Sequence, residues 1–349
     1  MFRTQGALSP AFRRRRHFLR GVSSGARAAL TAVRARRWLL SICLGLLFAS
    51  GVALQAMPES RPSYATPLPE EPITPIPPPP VADSRKLELG ERLFSDTRLS
   101  ASGNLSCASC HDVQANGADR GKAKADHGSS NTRFNTLSVF NAALSFRLNW
   151  EGNFRTLADQ VESSLENPVN LNSNANDVVA RLSNDPAMVE LFRAAYGHLP
   201  DRESLLDALV TFERSLVTPG SRFDRWLGGN MSALSDQEQH GYRLFKSLGC
   251  AACHQGVNVG GNLMERQGVF RELIPGKPAI VRVPSLRNVA TTPPYFHDGS
   301  AATLQDAIRR MAGAQLDRTL TDQQVESLVA FLKTLTGTYQ GVPVSETQP

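Results

Sequence analysis

The pattern of hydrophobic and polar positions along this 349-residue chain predicts a mostly helical protein. Apolar residues recur at spacings of three and four in residues 209–216 and again in residues 328–335, which is the period of an amphipathic helix. Capping-box sequences begin at Ser235 and Thr321, and Gly337 follows the last helical pattern as a stop. No series of alternating positions indicates strands, so we expect helices joined by long irregular loops.

The helical pattern occurs twice in the same order, which indicates an internal duplication. Residues 90–94 (GERLF) are matched by residues 241–245 (GYRLF), and LVTF at 209–212 is echoed by LVAF at 328–331. The length of the repeated region suits two modest domains in tandem. The predicted domains are 83–228 and 229–340, followed by a short tail at 341–349.

Two segments precede the duplicated region. Residues 1–57 form an arginine-rich leader, and its stretch at 38–56 is uncharged, mostly apolar and long enough to cross a bilayer as a helix. A cleaved signal peptide and a retained membrane anchor both fit this pattern, and either predicts an exported protein. Residues 58–82 are rich in proline, which favours extended polyproline II, so we expect a linker without a core.

The positive net charge of +6 belongs to the leader. The first 57 residues contain ten arginines and no other charged residue. Without them, 28 of the 38 basic residues remain against 32 acidic residues, a net charge of −4. The charge therefore gives no reason to expect a nucleic-acid partner for the folded part.

The pentapeptide Cys-x-x-Cys-His occurs at residues 107–111 and 250–254, once in each half. Its two thiols form thioethers with haem vinyl groups, and its histidine becomes an iron ligand. A structural zinc site would place its cysteine pairs 15–20 residues apart, whereas these pairs are separated by about 140 residues. A thioredoxin-like motif does not require the histidine. The sequence predicts two covalently bound c-type haems, held by Cys107, Cys110, His111, Cys250, Cys253 and His254.

Two further motifs carry a family resemblance. Residues 283–290 (VPSLRNVA) and 294–300 (PYFHDGS) resemble the signature of the bacterial di-haem cytochrome c peroxidases. This family also includes the methylamine-utilisation di-haem protein, and the likeness covers the chain from about Leu87 to Gly337. The resemblance implies two cytochrome-c-like haem domains in the periplasm. It also implies reduction of hydrogen peroxide to water by electrons from a small cytochrome or copper protein, and homodimers are common in the family.

The resemblance gives the two haems different roles. The haem on His111 would be peroxidatic, and the haem on His254 would receive electrons with Met311 as its second ligand. His127 matches the histidine that caps the peroxidatic iron in the resting form and swings away on activation. The protein-modifying branch of the family carries tyrosine at the position of Met311, so this residue favours the peroxidase branch.

Other positions are implied by the same resemblance. Trp150 falls where the family places an electron relay between the haems, and Gln160 matches a glutamine of the distal pocket. Asn135, Thr292 and Pro294 match the ligands of a calcium ion, for which oxygen ligands are suited.

One position departs from the family pattern. The peroxidases usually have a glutamate ten residues after the distal glutamine, where it transfers the peroxide proton. Here that position is Asn170, which cannot do acid–base work. Glu162 or Glu166 could replace it only if a loop placed the carboxylate next to the iron. We expect instead that both lie on the solvent-exposed face of a helix.

Three functions remain open from the sequence. The first is a periplasmic di-haem peroxidase. The second is a protein-modifying di-haem oxidase, against which Met311 argues and which Asn170 weakly favours. The third is a non-enzymatic electron carrier or redox sensor in which both haems are permanently six-coordinate.

Overall fold

The computed structural model describes residues 71–119, 134–275 and 279–345, which form nine α-helices and four short strands. Strands β1 (Met264–Arg266) and β2 (Ile280–Arg282) pair antiparallel with Met264 opposite Arg282, and β3 (Thr338–Tyr339) pairs with β4 (Val342–Pro343). The mostly helical prediction is confirmed. The helices are α1 (Ser84–Phe94), α2 (Leu157–Glu166), α3 (Ala175–Leu182), α4 (Pro186–Tyr196), α5 (Arg202–Ser215), α6 (Arg222–Leu227), α7 (Asp236–Ser247), α8 (Leu304–Leu316) and α9 (Asp322–Lys333).

Helices α1 and α5 cross closely in the first half because of a glycine. A Cβ atom on Gly90 would lie 2.1 Å from the carbonyl oxygen of Ala208, so no larger residue fits. The crossing brings the rings of Phe94 and Phe212 to a centroid distance of 5.1 Å within the first hydrophobic core. The repeated GERLF motif therefore encodes a helix crossing.

Helices α7 and α9 repeat this crossing in the second half. A Cβ atom on Gly241 would lie 1.9 Å from the carbonyl oxygen of Ser327, and the Phe245 and Phe331 rings are 5.2 Å apart. These phenylalanines belong to a second core that includes the stacked pair Phe223 and Trp226. The tandem arrangement inferred from the duplication is thus visible in the packing.

The predicted helix starts at Ser235 and Thr321 are confirmed. The Ser235 hydroxyl accepts from the backbone N–H of Glu238, whose carboxylate accepts from the Ser235 N–H at 2.8 Å. Thr321 and Gln324 make the same reciprocal pair of bonds. Each capping box satisfies two backbone donors that the helix itself leaves unpaired.

The two halves are joined by buried hydrogen bonds at Thr218. Its hydroxyl accepts from the side-chain amides of Asn141, at 2.8 Å, and Asn288, at 3.0 Å. The Asn288 side-chain oxygen accepts from the N–H of Gly337. The prediction that Gly337 stops a helix is wrong, since α9 ends at Lys333. Gly337 is needed because a Cβ atom there would lie 2.0 Å from the Thr218 carbonyl oxygen.

The first described residues of the proline-rich segment, 71–74, pack on the second half. Ile73 is only 1% exposed and belongs to the second core. The Glu71 carboxylate accepts from the Tyr242 hydroxyl at 2.6 Å and pairs with Lys246 at 2.9 Å. The expectation of a linker without a core is wrong for residues 71–76, because isoleucines between the prolines supply apolar surface that can be buried.

The predicted signal or anchor segment at 38–56 lies outside the described residues, as do residues 58–70 of the predicted linker. Among helices in the described ranges, none is both long and apolar enough to cross a membrane. The proposed boundaries of the leader, the two domains and the tail stay predictions.

Candidate active site

The first haem-attachment motif forms a tight turn. A 3₁₀ helix spans Cys107–Ser109, and the backbone N–H of His111 donates to the Cys107 carbonyl oxygen at 2.9 Å. The His111 Nδ1 atom lies 3.1 Å from the Gly117 carbonyl oxygen. A bond from Nδ1 to a backbone carbonyl fixes the ring and leaves Nε2 for a metal, as is usual for metal-binding histidines.

The second motif repeats this geometry. A 3₁₀ helix spans Cys250–Ala252, and the N–H of His254 donates to the Cys250 carbonyl oxygen at 3.0 Å. The His254 Nδ1 atom lies 3.2 Å from the Val259 carbonyl oxygen. Both imidazoles are therefore orientated in the same way within their halves.

Burial keeps the attachment residues in uncharged form. Loss of hydration lowers the pKa of His111, and it lowers the pKa of His254 to about 4. Burial likewise raises the pKa of the Cys107 thiol to about 12 and that of the Cys250 thiol to about 11. Neutral imidazole is the form that binds iron, so the histidines are ready to act as ligands across the physiological pH range.

Both motifs open on one large cavity of about 870 Å³. That volume is at the upper end of the range for cofactor sites, roughly 300–1,000 Å³. Most of the described residues that the sequence analysis predicts to bind haem or calcium, or to take part in catalysis, lie in the wall of this cavity. They are Cys107, Cys110, His111, Asn135, Trp150, Gln160, Asn170, Cys250, Cys253, His254, Thr292, Pro294 and Met311.

A buried guanidinium on the cavity wall tests whether haem fits. Arg282 is 6% exposed, its Nε donates to the Asn149 carbonyl oxygen at 2.8 Å, and no carboxylate of the described residues forms an ion pair with it. Burial lowers its pKa to about 10. A buried charge without a counter-charge is costly, and the propionates of haem are carboxylates. Arg282 and the two orientated histidines thus fit the cofactor.

Trp150 lies in the cavity wall where the two halves approach each other. It is 7% exposed, and its indole N–H donates to the Asn135 carbonyl oxygen at 2.7 Å. Its ring centroid is 6.3 Å from that of His297, which is also buried. The Nδ1 atom of His297 has no hydrogen-bond partner within residues 71–119, 134–275 and 279–345, and burial lowers the pKa of this imidazole.

The turns that carry Trp150 and His297 are copies of each other. Both contain an isolated antiparallel bridge, between Leu148 and Phe154 in one half and between Tyr295 and Ala301 in the other. The residues before Trp150 and His297 have φ values of 65° and 72°, and the following glycines have 65° and 67°. Each matched position in the second half is 147 residues after its partner.

Gln160 and Met311 project into the cavity from the helices that follow these turns. The Gln160 Nε2 atom donates to the Ser164 hydroxyl at 3.0 Å, while its Oε1 atom is buried without a hydrogen-bond partner in the part of the chain that the structure describes. Met311 is half-buried on α8 and packs with the small cluster of Leu273 and Ile274. Ligation of iron by Met311 stays a prediction.

The position of the missing acid–base glutamate lies at the cavity but is exposed. Asn170 follows α2 in a turn in which its N–H donates to the Asn167 carbonyl oxygen at 2.9 Å. Glu162 pairs with Arg202 at 2.5 Å, and Glu166 is exposed, so both lie as expected for a helix face. Neither of these glutamates lines the cavity.

The residues nominated for calcium lie close together. The Asn135 side-chain amide donates to the Pro294 carbonyl oxygen at 2.6 Å, and the Asn135 backbone N–H donates to the His297 carbonyl oxygen. The Thr292 hydroxyl donates to the Val289 carbonyl oxygen at 3.3 Å. Calcium binding stays a prediction. His127, nominated as the displaceable cap, lies outside the described residues.

Two cavity residues were missed by sequence reasoning. Arg282 belongs to a three-residue strand, and only burial reveals that it has no acidic partner. Glu213 lines the cavity from α5, and burial raises the pKa of its carboxyl to about 8. The duplication offered a signal for Glu213, because LVTF-Glu213 aligns with LVAF-Leu332, which places a carboxyl where the other half has leucine.

Two haem-attachment turns on one apolar cavity define a di-haem c-type protein. Known sequences agree, since the profile described as "Di-haem cytochrome c peroxidase" matches residues 84–232 and a "Cytochrome c" profile matches residues 238–336. The chain is 37% identical to the cytochrome c551 peroxidase of Nitrosomonas europaea over 86% of this chain and 90% of that protein. It is 34% identical to the cytochrome c551 peroxidase of Pseudomonas aeruginosa over 84% and 90%.

A solved structure shares the fold. The crystal structure of a MauG-like protein associated with microbial copper homeostasis superposes with a TM-score of 0.64 at 27% identity, covering 79% of this chain and 96% of that one. The chain belongs to the di-haem cytochrome c peroxidase family. It is therefore an oxidoreductase with covalently bound haem c, and the resemblance inferred from the sequence is confirmed.

Proposed function

We propose that this enzyme reduces hydrogen peroxide to water at the first haem, with electrons that enter through the second haem. The observation that carries the proposal is a difference between two matched helices in the side chains that they bring to the cavity. Helix α8 brings the thioether of Met311 to the cavity wall, whereas α2 brings no thioether, and its polar residues there are Gln160, Ser163 and Ser164. A thioether is a common axial ligand of electron-transfer haems, and an amide is not.

When bound, haem supplies electron exchange and cleavage of the O–O bond. The protein residues bind, orientate and shield. His111 and His254 each present a neutral Nε2 atom to iron, because their Nδ1 atoms face backbone carbonyls. Met311 would be the second protein ligand of the haem on His254, and Arg282 would supply a counter-charge for a propionate. By resemblance to the family, His127 would be the displaceable ligand of the haem on His111.

In this proposal Gln160 binds the peroxide, and Trp150 assists electron transfer between the haems. The unpaired Oε1 atom of Gln160 accepts a hydrogen bond from peroxide and holds it against the first haem. Trp150 lies at the boundary between the halves and lowers the barrier for electrons that cross it. Asn170 holds no transferable proton, so general acid–base catalysis from this position is lost and turnover is slow for this family.

The setting of the reaction is part of the proposal. The apolar stretch at 38–56 and the haem-attachment motifs support export to the periplasm, with the segment either removed or kept as an inner-membrane tether. The electron donor is a small cytochrome or copper protein. A calcium ion held by Asn135, Thr292 and Pro294, together with a homodimer, would complete the arrangement that the family suggests.

The test is steady-state peroxide turnover by the haem-loaded protein with a reduced small cytochrome as donor. We expect two donor molecules to be oxidised for each hydrogen peroxide consumed, and saturation with peroxide. A rate no greater than that of free haem at the same concentration would reject the proposal in favour of an electron carrier.

A further inference from the structure

Helices α2 and α8 are matched residue by residue. Thr156 and Thr303 cap them with their hydroxyls, accepting from the N–H groups of Asp159 and Asp306. These pairs keep the offset of 147 residues that relates the preceding turns. Matched positions of both helices face the same cavity: Leu157 with Leu304, Gln160 with Ala307, Val161 with Ile308, Ser164 with Met311, and Leu165 with Ala312.

Ser164 therefore occupies, in the first half, the position that Met311 occupies in the second. A methionine side chain is long and ends in a soft sulfur that binds haem iron. A serine hydroxyl is a short, hard oxygen donor, and here it already accepts from Gln160 at 3.0 Å. The two matched helices therefore differ at this position. Helix α8 brings a side chain that can bind iron to the cavity, and α2 brings one that does not.

The Gln160 amide turns its N–H group towards the Ser164 hydroxyl. With its N–H group turned to Ser164, the amide presents its oxygen away from that bond, where the oxygen is buried and has no hydrogen-bond partner among the described residues. A buried acceptor without a partner has lost its hydration, and a ligand bearing an O–H donor offsets that loss. Hydrogen peroxide is such a ligand.

We propose that Ser164 keeps the distal face of the first haem free of a helix-borne ligand and aims the Gln160 oxygen at the peroxide bound there. This inference deepens the proposed peroxidase function and rests on it. Ser164 is a positioning residue, since it acts on the substrate through Gln160. One side-chain position thereby separates the reactive haem from the electron-transfer haem in a duplicated chain.

The decisive variant is Ser164→Met in the haem-loaded protein, measured by carbon monoxide binding after full reduction and by absorption spectra. We expect the wild type to bind one carbon monoxide per chain, and Ser164→Met to bind none and to show two low-spin haems with histidine and methionine ligands. Retention of one carbon monoxide and of the wild-type spectrum by Ser164→Met would overturn the proposal.

Three matched variants separate ligation from crowding and from misfolding. Ser164→Leu has a similar volume without sulfur, so its first haem is expected to lack the low-spin methionine spectrum. Glu166→Met, at the exposed end of α2 and outside the cavity wall, is expected to bind one carbon monoxide. The reciprocal Met311→Ser is expected to bind two, and a count of one there would contradict the matched roles even if Ser164→Met failed to fold.

The positioning role has its own readout. Ser164→Ala removes the hydrogen bond to Gln160 and is expected to raise the KM for peroxide roughly three- to tenfold, as for one lost hydrogen bond, with carbon monoxide binding intact. Ser164→Thr restores the hydroxyl and the wild-type KM. An unchanged KM in Ser164→Ala overturns this role, whereas failure of the proposed function would show as absent turnover in the wild type.

Discussion

The indole of Trp150 and the imidazole of His297 lie at 68° to each other with their centroids 6.3 Å apart, and each occupies the same place in a turn that the chain uses twice. The duplication thus brings its two copies face to face where the halves meet. Trp150 is held by its bond to the Asn135 carbonyl oxygen, and Asn135 in turn donates to the His297 carbonyl oxygen. This closed set of contacts fixes the ring that we assign to electron transfer.

Replacing Trp150 by phenylalanine should slow electron transfer between the haems. Phenylalanine keeps an apolar ring but loses the indole and the bond to Asn135. We expect at least about a tenfold lower rate, equivalent to about 1.4 kcal/mol in the barrier. Rapid mixing of the half-reduced protein with peroxide measures it. Trp226→Phe, in the second core, is the control, and an equal rate in Trp150→Phe would remove Trp150 from the path.

Replacing Arg282 by glutamine should weaken the haem-loaded protein and lower a haem reduction potential. Loss of one member of a buried ion pair costs about 3–5 kcal/mol, and loss of a nearby positive charge favours the ferric state. Denaturant unfolding and redox titration measure these effects. Arg282→Lys keeps the charge and should retain most of the potential. Unchanged stability and potential in Arg282→Gln would show that no propionate pairs there.

Replacing Asn170 by glutamate should accelerate peroxide turnover. The family's carboxylate would return to the cavity edge, and general acid–base catalysis contributes roughly 10²–10⁴-fold. We expect a kcat gain of at least about tenfold at neutral pH, because a flexible exposed turn recovers only part of this effect. Asn170→Gln is the matched control without a titratable group. Equal gains in both variants would argue against proton transfer.

Glu213 should make stability depend on pH. Burial raises its pKa to about 8 from 4.5, so the folded chain binds a proton that the unfolded chain releases between these values. The stability linked to this proton is complete below pH 4.5 and is lost as pH rises through about 8. Glu213→Leu should remove this loss, stabilising the protein at alkaline pH by on the order of a few kcal/mol.

Unfolding free energies at pH 5 and pH 9 measure the effect of Glu213. Glu203→Gln, an exposed change on the same helix, should leave the pH dependence as it is in the wild type. A Glu213→Leu protein with the same decline in stability between the two pH values would show that Glu213 stays charged in the folded state.

Much of the fold was accessible from the sequence because its signals are local. The capping boxes at Ser235 and Thr321 and the glycines of the two repeated motifs act within one turn or one helix crossing. The prediction for Gly337 was wrong for the opposite reason. Gly337 is required by its close contact with Thr218, more than 100 residues away, but in the sequence a glycine after a helical pattern cannot be told from a helix stop.

The site divides in the same way. The haem ligands follow from short motifs, but the unpaired state of Arg282 and of the Gln160 oxygen depends on what lies around them in space. The buried part of the proline-rich segment also required the structure, since Ile73 finds its core in the second half of the chain.

The central claim is that two copies of one haem site have become unequal, one closed by a protein ligand and one able to bind a small molecule. Carbon monoxide titration of the fully reduced, haem-loaded protein tests it most directly. The account predicts one carbon monoxide bound for every two haems. Binding of none would indicate an electron carrier, and binding of two would show that Met311 closes neither haem, so either result would contradict the account.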